Sequence, residues 1–112
     1  MSNVANQPTV WIAQWRNDLD FASAQEWGKL KVLTEVEVPT TFIGPEYRQF
    51  ALDVVTFLTD MDREHDSVLL SGNPVQMMMI AAALSKECDW INILKWDPKF
   101  RKYNRIRVPL EF

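Results

Sequence analysis

The chain has 112 residues, 47% hydrophobic and 12% aromatic with five Trp, a composition that supports one packed core in one domain and excludes a disordered or low-complexity protein. A single cysteine, Cys88, excludes an internal disulfide and fits a reducing compartment. No basic-then-apolar leader and no apolar run of about 18 residues is present, so the expectation is a soluble protein that is not exported.

The net charge of −3 disfavours a general nucleic-acid binder, but it hides an asymmetry. Lys95, Lys99, Arg101, Lys102, Arg105 and Arg107 face one acid, Asp97, between positions 95 and 107, whereas residues 1–94 hold six basic and thirteen acidic side chains. The molecule is acidic with one basic corner.

Residues 1–9 read as a flexible lead-in to a single domain spanning 1–112. Residues 10–15, VWIAQW, are β-branched and aromatic and predict a central first strand. Asp20 is placed to cap a short helical turn over 21–27, with Gly28 as its stop. Residues 29–38 alternate, Leu30, Val32, Thr34, Val36 and Val38 on one side and Lys29, Lys31, Glu35 and Glu37 on the other, which predicts a half-buried edge strand ended by Pro39. After a loop over 39–45, Pro45 and Glu46 suit a helix start. Tyr47, Phe50, Ala51, Val54, Val55 and Leu58 then share a helix face, and 59–66 follow as a solvated acidic loop.

Residues 67–97 form the unit around which the rest is expected to pack. A short apolar strand at 67–70 leads through Ser71-Gly72-Asn73-Pro74 into an apolar helix over 75–84, and a second apolar strand follows at 90–96. Two such strands joined by a helix predict adjacent parallel strands in a right-handed βαβ crossover. The helix is apolar nearly all round and is expected to be covered on most faces. Residues 97–102 turn the chain, and 103–108 return as an antiparallel strand with Pro109 at an edge. The fold class is therefore α/β, a compact sandwich with a mixed, partly parallel sheet of about five strands, a βαβ unit and a C-terminal antiparallel hairpin.

Two places carry candidate chemistry. Ser71, Gly72 and Asn73 lie where a strand enters a helix N-terminus, a geometry that offers unpaired N–H groups to an anion, but a phosphate loop normally supplies more glycine and a lysine. A structural turn capped by Asn73 is the favoured reading. Trp96, Lys99, Phe100, Arg101, Tyr103 and Arg105 interleave aromatics with cations, the mixture enriched at protein interfaces and also able to stack bases. The acidic run Asp60-x-Asp62-x-Glu64-x-Asp66 lacks the glycine and the closing glutamate of a calcium loop, and His65 and Cys88 each stand alone. Met77, Met78 and Met79 read as core filling rather than an adaptable surface. No catalytic residues, metal site or cofactor is expected.

Ala24-x-x-Trp27-Gly28-x-Leu30, the segment from Asp66 through Ser71-Gly72-Asn73-Pro74, and Leu94-Lys95-Trp96-Asp97 with Tyr103 six residues on resemble small tailed-bacteriophage accessory proteins that share a "DyLlltGnP" turn and an "LkWD…Y" hairpin. The resemblance implies a phage product acting in the host cytoplasm, and it carries over no catalytic residue. The expected function is non-enzymatic binding of a bacterial host or phage protein, as a monomer or small homo-oligomer away from membranes. A small nucleotide or phosphate binder, using the Gly72 turn and the basic hairpin, is the alternative, and nucleic acid is the less favoured partner.

Overall fold

The computed structural model describes residues 7–35 and 45–111. Five strands form one sheet: β1 (Thr9–Gln14), β2 (Lys29–Thr34), β3 (Ser67–Leu69), β4 (Trp90–Asp97) and β5 (Lys102–Pro109), in the order β2-β1-β3-β4-β5. The first four run parallel, and β5 pairs antiparallel with β4. Two helices, α1 (Pro45–Asp60) and α2 (Pro74–Glu87), connect β2 to β3 and β3 to β4, and a 3-10 helix, Ala22–Trp27, connects β1 to β2. The fold is the expected α/β sandwich with a C-terminal hairpin, and Val68 of β3 stands beside Ile93 of β4 in the parallel pairing that the crossover required.

Alternation along β1 explains the two layers. Trp11 and Ala13 face α1 and α2, meeting Phe50, Val54 and Phe57 of α1 and Ile80 and Leu84 of α2. Val10 and Ile12 face the other way, onto Phe21 and Ala24 around the 3-10 helix, with Leu69, Leu94 and Tyr103. A strand buried on both faces must be apolar at consecutive positions, which is why VWIA reads as an unbroken run. Thr9 opens β1, and the Pro8 carbonyl accepts a 2.8 Å hydrogen bond from Lys29 N beside Gly28, whose φ of 149° leaves no room for a Cβ against Pro8. Residues 1–6 of the flexible segment expected over 1–9, residues 36–38 of the expected strand and the loop after Pro39 lie outside the described residues.

Three expectations are corrected. First, α1 is rotated relative to the stripe read from its sequence: Phe50, Val54 and Phe57 are buried, whereas Ala51 is exposed and Val55 is 60% exposed. Phe57 wins the inner position because its ring meets Trp11 edge-on at 5.1 Å between centroids. Second, α2 is not covered on most of its faces. It buries Gln76, Ile80 and Leu84, Met77 and Met79 are half-buried, and Met78 is 67% exposed, so the methionine triplet is not simply core filling. α2 packs against α1 and, through Ile80 and Leu84, joins the core that Trp11 and Ala13 of the sheet belong to, while Val75 and Met78 stay exposed. Third, Asp66 is not part of a solvated loop. Its buried carboxylate accepts from Thr9 N at 2.9 Å, Trp11 Nε1 at 3.0 Å and Asp62 N at 2.9 Å, pinning the loop to the start of β1. No described helix is long and apolar enough to cross a membrane.

Candidate functional site

The strand order reverses between β1 and β3: the chain steps outward from β1 to β2, then returns past β1 to β3. The crevice at the carboxyl ends of such strands is where open α/β sheets usually hold ligands, and Ser71, Gly72 and Asn73 lie there. Their polar groups, however, serve the fold. The Ser71 hydroxyl donates to Gln14 O at 2.5 Å and accepts from Gln14 N at 3.3 Å, continuing the β1–β3 seam with a side chain. Asn73 Oδ1 accepts from Gln76 N and its amide donates to Gln76 Oε1, both at 2.9 Å, the expected N-cap with Pro74 in the first turn. Gly72 has φ 113°, and a Cβ there would collide with the Gln14 side chain, 2.9 Å from its Cβ. Beside this seam, a pocket of about 290 Å³ is lined by Gln14, Trp15, Thr34 and Glu35. Among the described residues that lining has one anion and no cation, the wrong charge for a phosphate.

The loop between α1 and β3 forms the base of the hairpin. Asp62 accepts from Glu64 N at 3.1 Å and pairs with His65 Nδ1 at 2.8 Å, while Asp66 points inward, so the carboxylates of the acidic run diverge. Among the described residues no group of acids, His or Cys converges in a way that suits a metal ion. Hydrogen bonding to His65 holds the Asp62 carboxyl below its ordinary value, and Asp62 raises the His65 imidazole above its own. Arg105 of β5 reaches this loop, donating to the carbonyls of Glu64 and His65, each at 3.2 Å. Asn92 of β4 ties the same loop down through the Asp66 carbonyl at 3.2 Å.

At the far end of the hairpin, Trp96 stands opposite Tyr103 and Asp97 opposite Lys102. Asp97 shapes the turn over 98–101: Oδ1 accepts from Lys99 N at 3.0 Å and Phe100 N at 3.3 Å, and Oδ2 from Asn104 Nδ2 at 3.3 Å. Arg101 takes φ 54°, an uncommon conformation for a residue with a Cβ, and with that turn Phe100 points outward, 64% exposed. Lys99 Nζ lies 5.5 Å from the Phe100 ring centre, and Arg101 and Lys102 are exposed beside it. An apolar ring is thus presented on a braced turn among three cations.

The six hairpin residues singled out in the sequence therefore divide. Lys99, Phe100 and Arg101 make an open surface. Tyr103 is only 5% exposed and belongs to the core: its hydroxyl donates to Asp20 O at 3.0 Å, its carbonyl accepts from Trp27 Nε1 at 2.9 Å, and burial pushes the phenol upward in pKa. Half-buried Trp96 packs edge-on against it at 5.0 Å. Arg105 braces the base. The reading of Tyr103 as a surface group is thus corrected, because two partners distant in sequence enclose it.

One surface was not foreseen. Between α1 and α2 runs an apolar groove of about 310 Å³ whose walls include Ala51, Val55, Leu58, Met79 and Ala83, with Leu52 and Met78 among the exposed apolar side chains of the same helices. The signal was present in Val55, which lies off the stripe defined by Phe50, Val54 and Phe57.

No curated relative and no solved structure matches the chain. One family model does, over residues 4–110, and that span takes in β1, the Gly72 turn and the whole hairpin. The chain belongs to the family described as Phage Pam3 gp32-like protein.

Proposed function

We propose that this phage-family chain is an accessory protein that acts in the host cytoplasm by binding another protein through the tip of the β4–β5 hairpin. The carrying observation is Phe100, exposed on a turn that Asp97 braces and flanked by Lys99, Arg101 and Lys102. Burying such a ring in a partner's pocket contributes about 1.5–3 kcal/mol. The surrounding cations favour an acidic partner surface and speed its encounter, and the braced turn reduces the ordering cost on binding. Against a nucleotide ligand stand the internal commitments of Ser71 and Asn73 and the acidic neighbour Glu35.

A photo-crosslinking amino acid at position 100 in infected host cells tests the reading, with one at position 52 on α1 as the comparison. Covalent capture of a discrete polypeptide from position 100, lost in a Lys99→Glu/Arg101→Glu variant, is the expected result. Crosslinks only to nucleic acid, or only from position 52, would overturn it. In parallel, ATP and single-stranded DNA at about 0.15 M salt are expected to leave the amides of Gly72, Asn73 and Arg101 unmoved.

A further inference from the structure

The hairpin has a second open feature besides its tip. β5 is an eight-residue strand paired along its whole length with β4, and it ends the sheet. Alternate backbone N–H and C=O groups of such an edge point away from the sheet and can template another strand. Every charged side chain on β5 is basic: Lys102, Arg105 and Arg107. A second copy pairing through this edge would set like charges against each other, which disfavours self-association. The opposite edge, β2, carries Lys29 and Lys31 and is equally unsuited to it.

Positive charge on an edge strand is often only protective, and for that purpose a freely moving lysine suffices. Here the two arginines are fixed. Arg105 is held by the Glu64 and His65 carbonyls, and the Arg107 guanidinium lies 3.7 Å from the centre of the Trp90 ring, with Arg63 approaching the same ring at 5.4 Å. Each retains N–H donors, and little side-chain entropy remains to be lost when a carboxylate arrives. In the alternation of β5, Arg105 and Arg107 share the side of Tyr103, while Ile106, 40% exposed, lies on the other.

We infer that the outer edge of β5 is a strand-addition site for an extended acidic segment of a partner protein, with carboxylates on the Arg105–Arg107 side and an apolar residue beside Ile106. The site ends at Pro109, which has no N–H, and at Leu110, whose N–H is turned back to Asp89 O at 2.7 Å. This inference rests on the reading of the hairpin as a protein-binding element and specifies how the partner is held: main-chain hydrogen bonds supply affinity and alternate side chains supply choice.

The test is amide NMR and hydrogen exchange on the full chain, titrated with a peptide of about ten residues alternating Glu and Val. Alternate amides of β5 are expected to gain protection. A Lys/Val peptide should bind at least about tenfold more weakly, and Arg107→Gln should weaken the Glu/Val peptide about threefold. A Glu/Val peptide with alternate backbone amides N-methylated leaves the protein untouched and should not bind. Equal binding of the N-methylated peptide, protection at β2 instead of β5, or no binding of any peptide would overturn strand addition. Shifts confined to positions 99–101 would also overturn it while leaving the Phe100 reading intact, whereas failure of the position-100 crosslink alone would count against the tip and not the edge. Single-stranded DNA of similar length displacing the peptide and protecting β5 would assign the edge to nucleic acid instead.

Discussion

The turns at Gly72 and at Phe100 are each built around a residue with positive φ, 113° at Gly72 and 54° at Arg101, but they send their side chains in opposite directions. At Gly72 the backbone closes against Gln14, and the flanking Ser71 and Asn73 bond inward, so the turn finishes the β1–β3 seam and starts α2. At 98–101 the inward bonds all go to one residue, Asp97, and Lys99, Phe100 and Arg101 are left to solvent. A turn whose polar groups are spent on its own fold is a structural part. One braced by a single carboxylate leaves its other side chains to solvent.

The largest effect expected from this contrast is at Gly72. Gly72→Ala combines a backbone conformation that disfavours a Cβ with a collision against Gln14, each worth about 1–3 kcal/mol, so a loss of about 3 kcal/mol is expected. For a domain of this size the melting temperature should fall by on the order of 10 °C. Urea and thermal unfolding measure it, and an unchanged midpoint would show that the seam is not a structural part.

That seam was only half legible in the sequence. The Asn73 cap and Pro74 follow local rules, since their partners lie within three residues, and the alternation of β2 and the apolar run of β1 are equally local. The partners of Gly72 and Ser71 are not local: Gln14 lies 57 positions before Ser71. Asp66 looked solvated because its bond to Trp11 spans 55 positions, and Tyr103 looked exposed because Trp27 and Asp20 are 76 and 83 positions away. On α1, the stripe read from the sequence left out Phe57, whose inner position is decided by its contact with Trp11, 46 positions away. The turn over 97–102 was legible because neighbouring residues build it, Asp97 accepting from Lys99 N and Phe100 N.

Within the hairpin, the same contrast is sharpened by two ring substitutions. Tyr103→Phe removes one buried hydroxyl and its bond to Asp20 O, with an expected loss of about 1 kcal/mol in urea unfolding. Phe100→Ala removes a larger group but should change stability by no more than about 0.5 kcal/mol, because the exposed ring contributes little to folding. Its effect belongs to partner binding, which should fall by tenfold or more if the ring is an anchor. If Phe100→Ala destabilised the fold more than Tyr103→Phe did, tip and core would have to exchange roles.

The smallest expected effect is the dependence of the hairpin's base on pH. Asp62 and His65 pair at 2.8 Å on the surface, the loop that carries them supplies the carbonyls that hold Arg105, and each group shifts the other. The imidazole is raised from about 6.5, so its contribution is complete below that value and is lost as pH rises through the higher folded value. The carboxylate is lowered from about 3.8, so its contribution is present above that value and is lost as pH falls through the lower folded one. The pair is therefore intact between these limits. Raising the pH from below about 6.5 through the higher folded value should weaken the loop slightly, and Asp62→Asn should reduce that dependence. Solvent screens both side chains, so the sensitive readout is the His65 ring titration by NMR rather than a melting curve. Its midpoint should lie above the ordinary histidine value in the native chain and return toward it in Asp62→Asn. A native midpoint at or below the ordinary value would mean that the loop does not hold this pair, and the fixed position of Arg105 beside the β5 edge would lose its support.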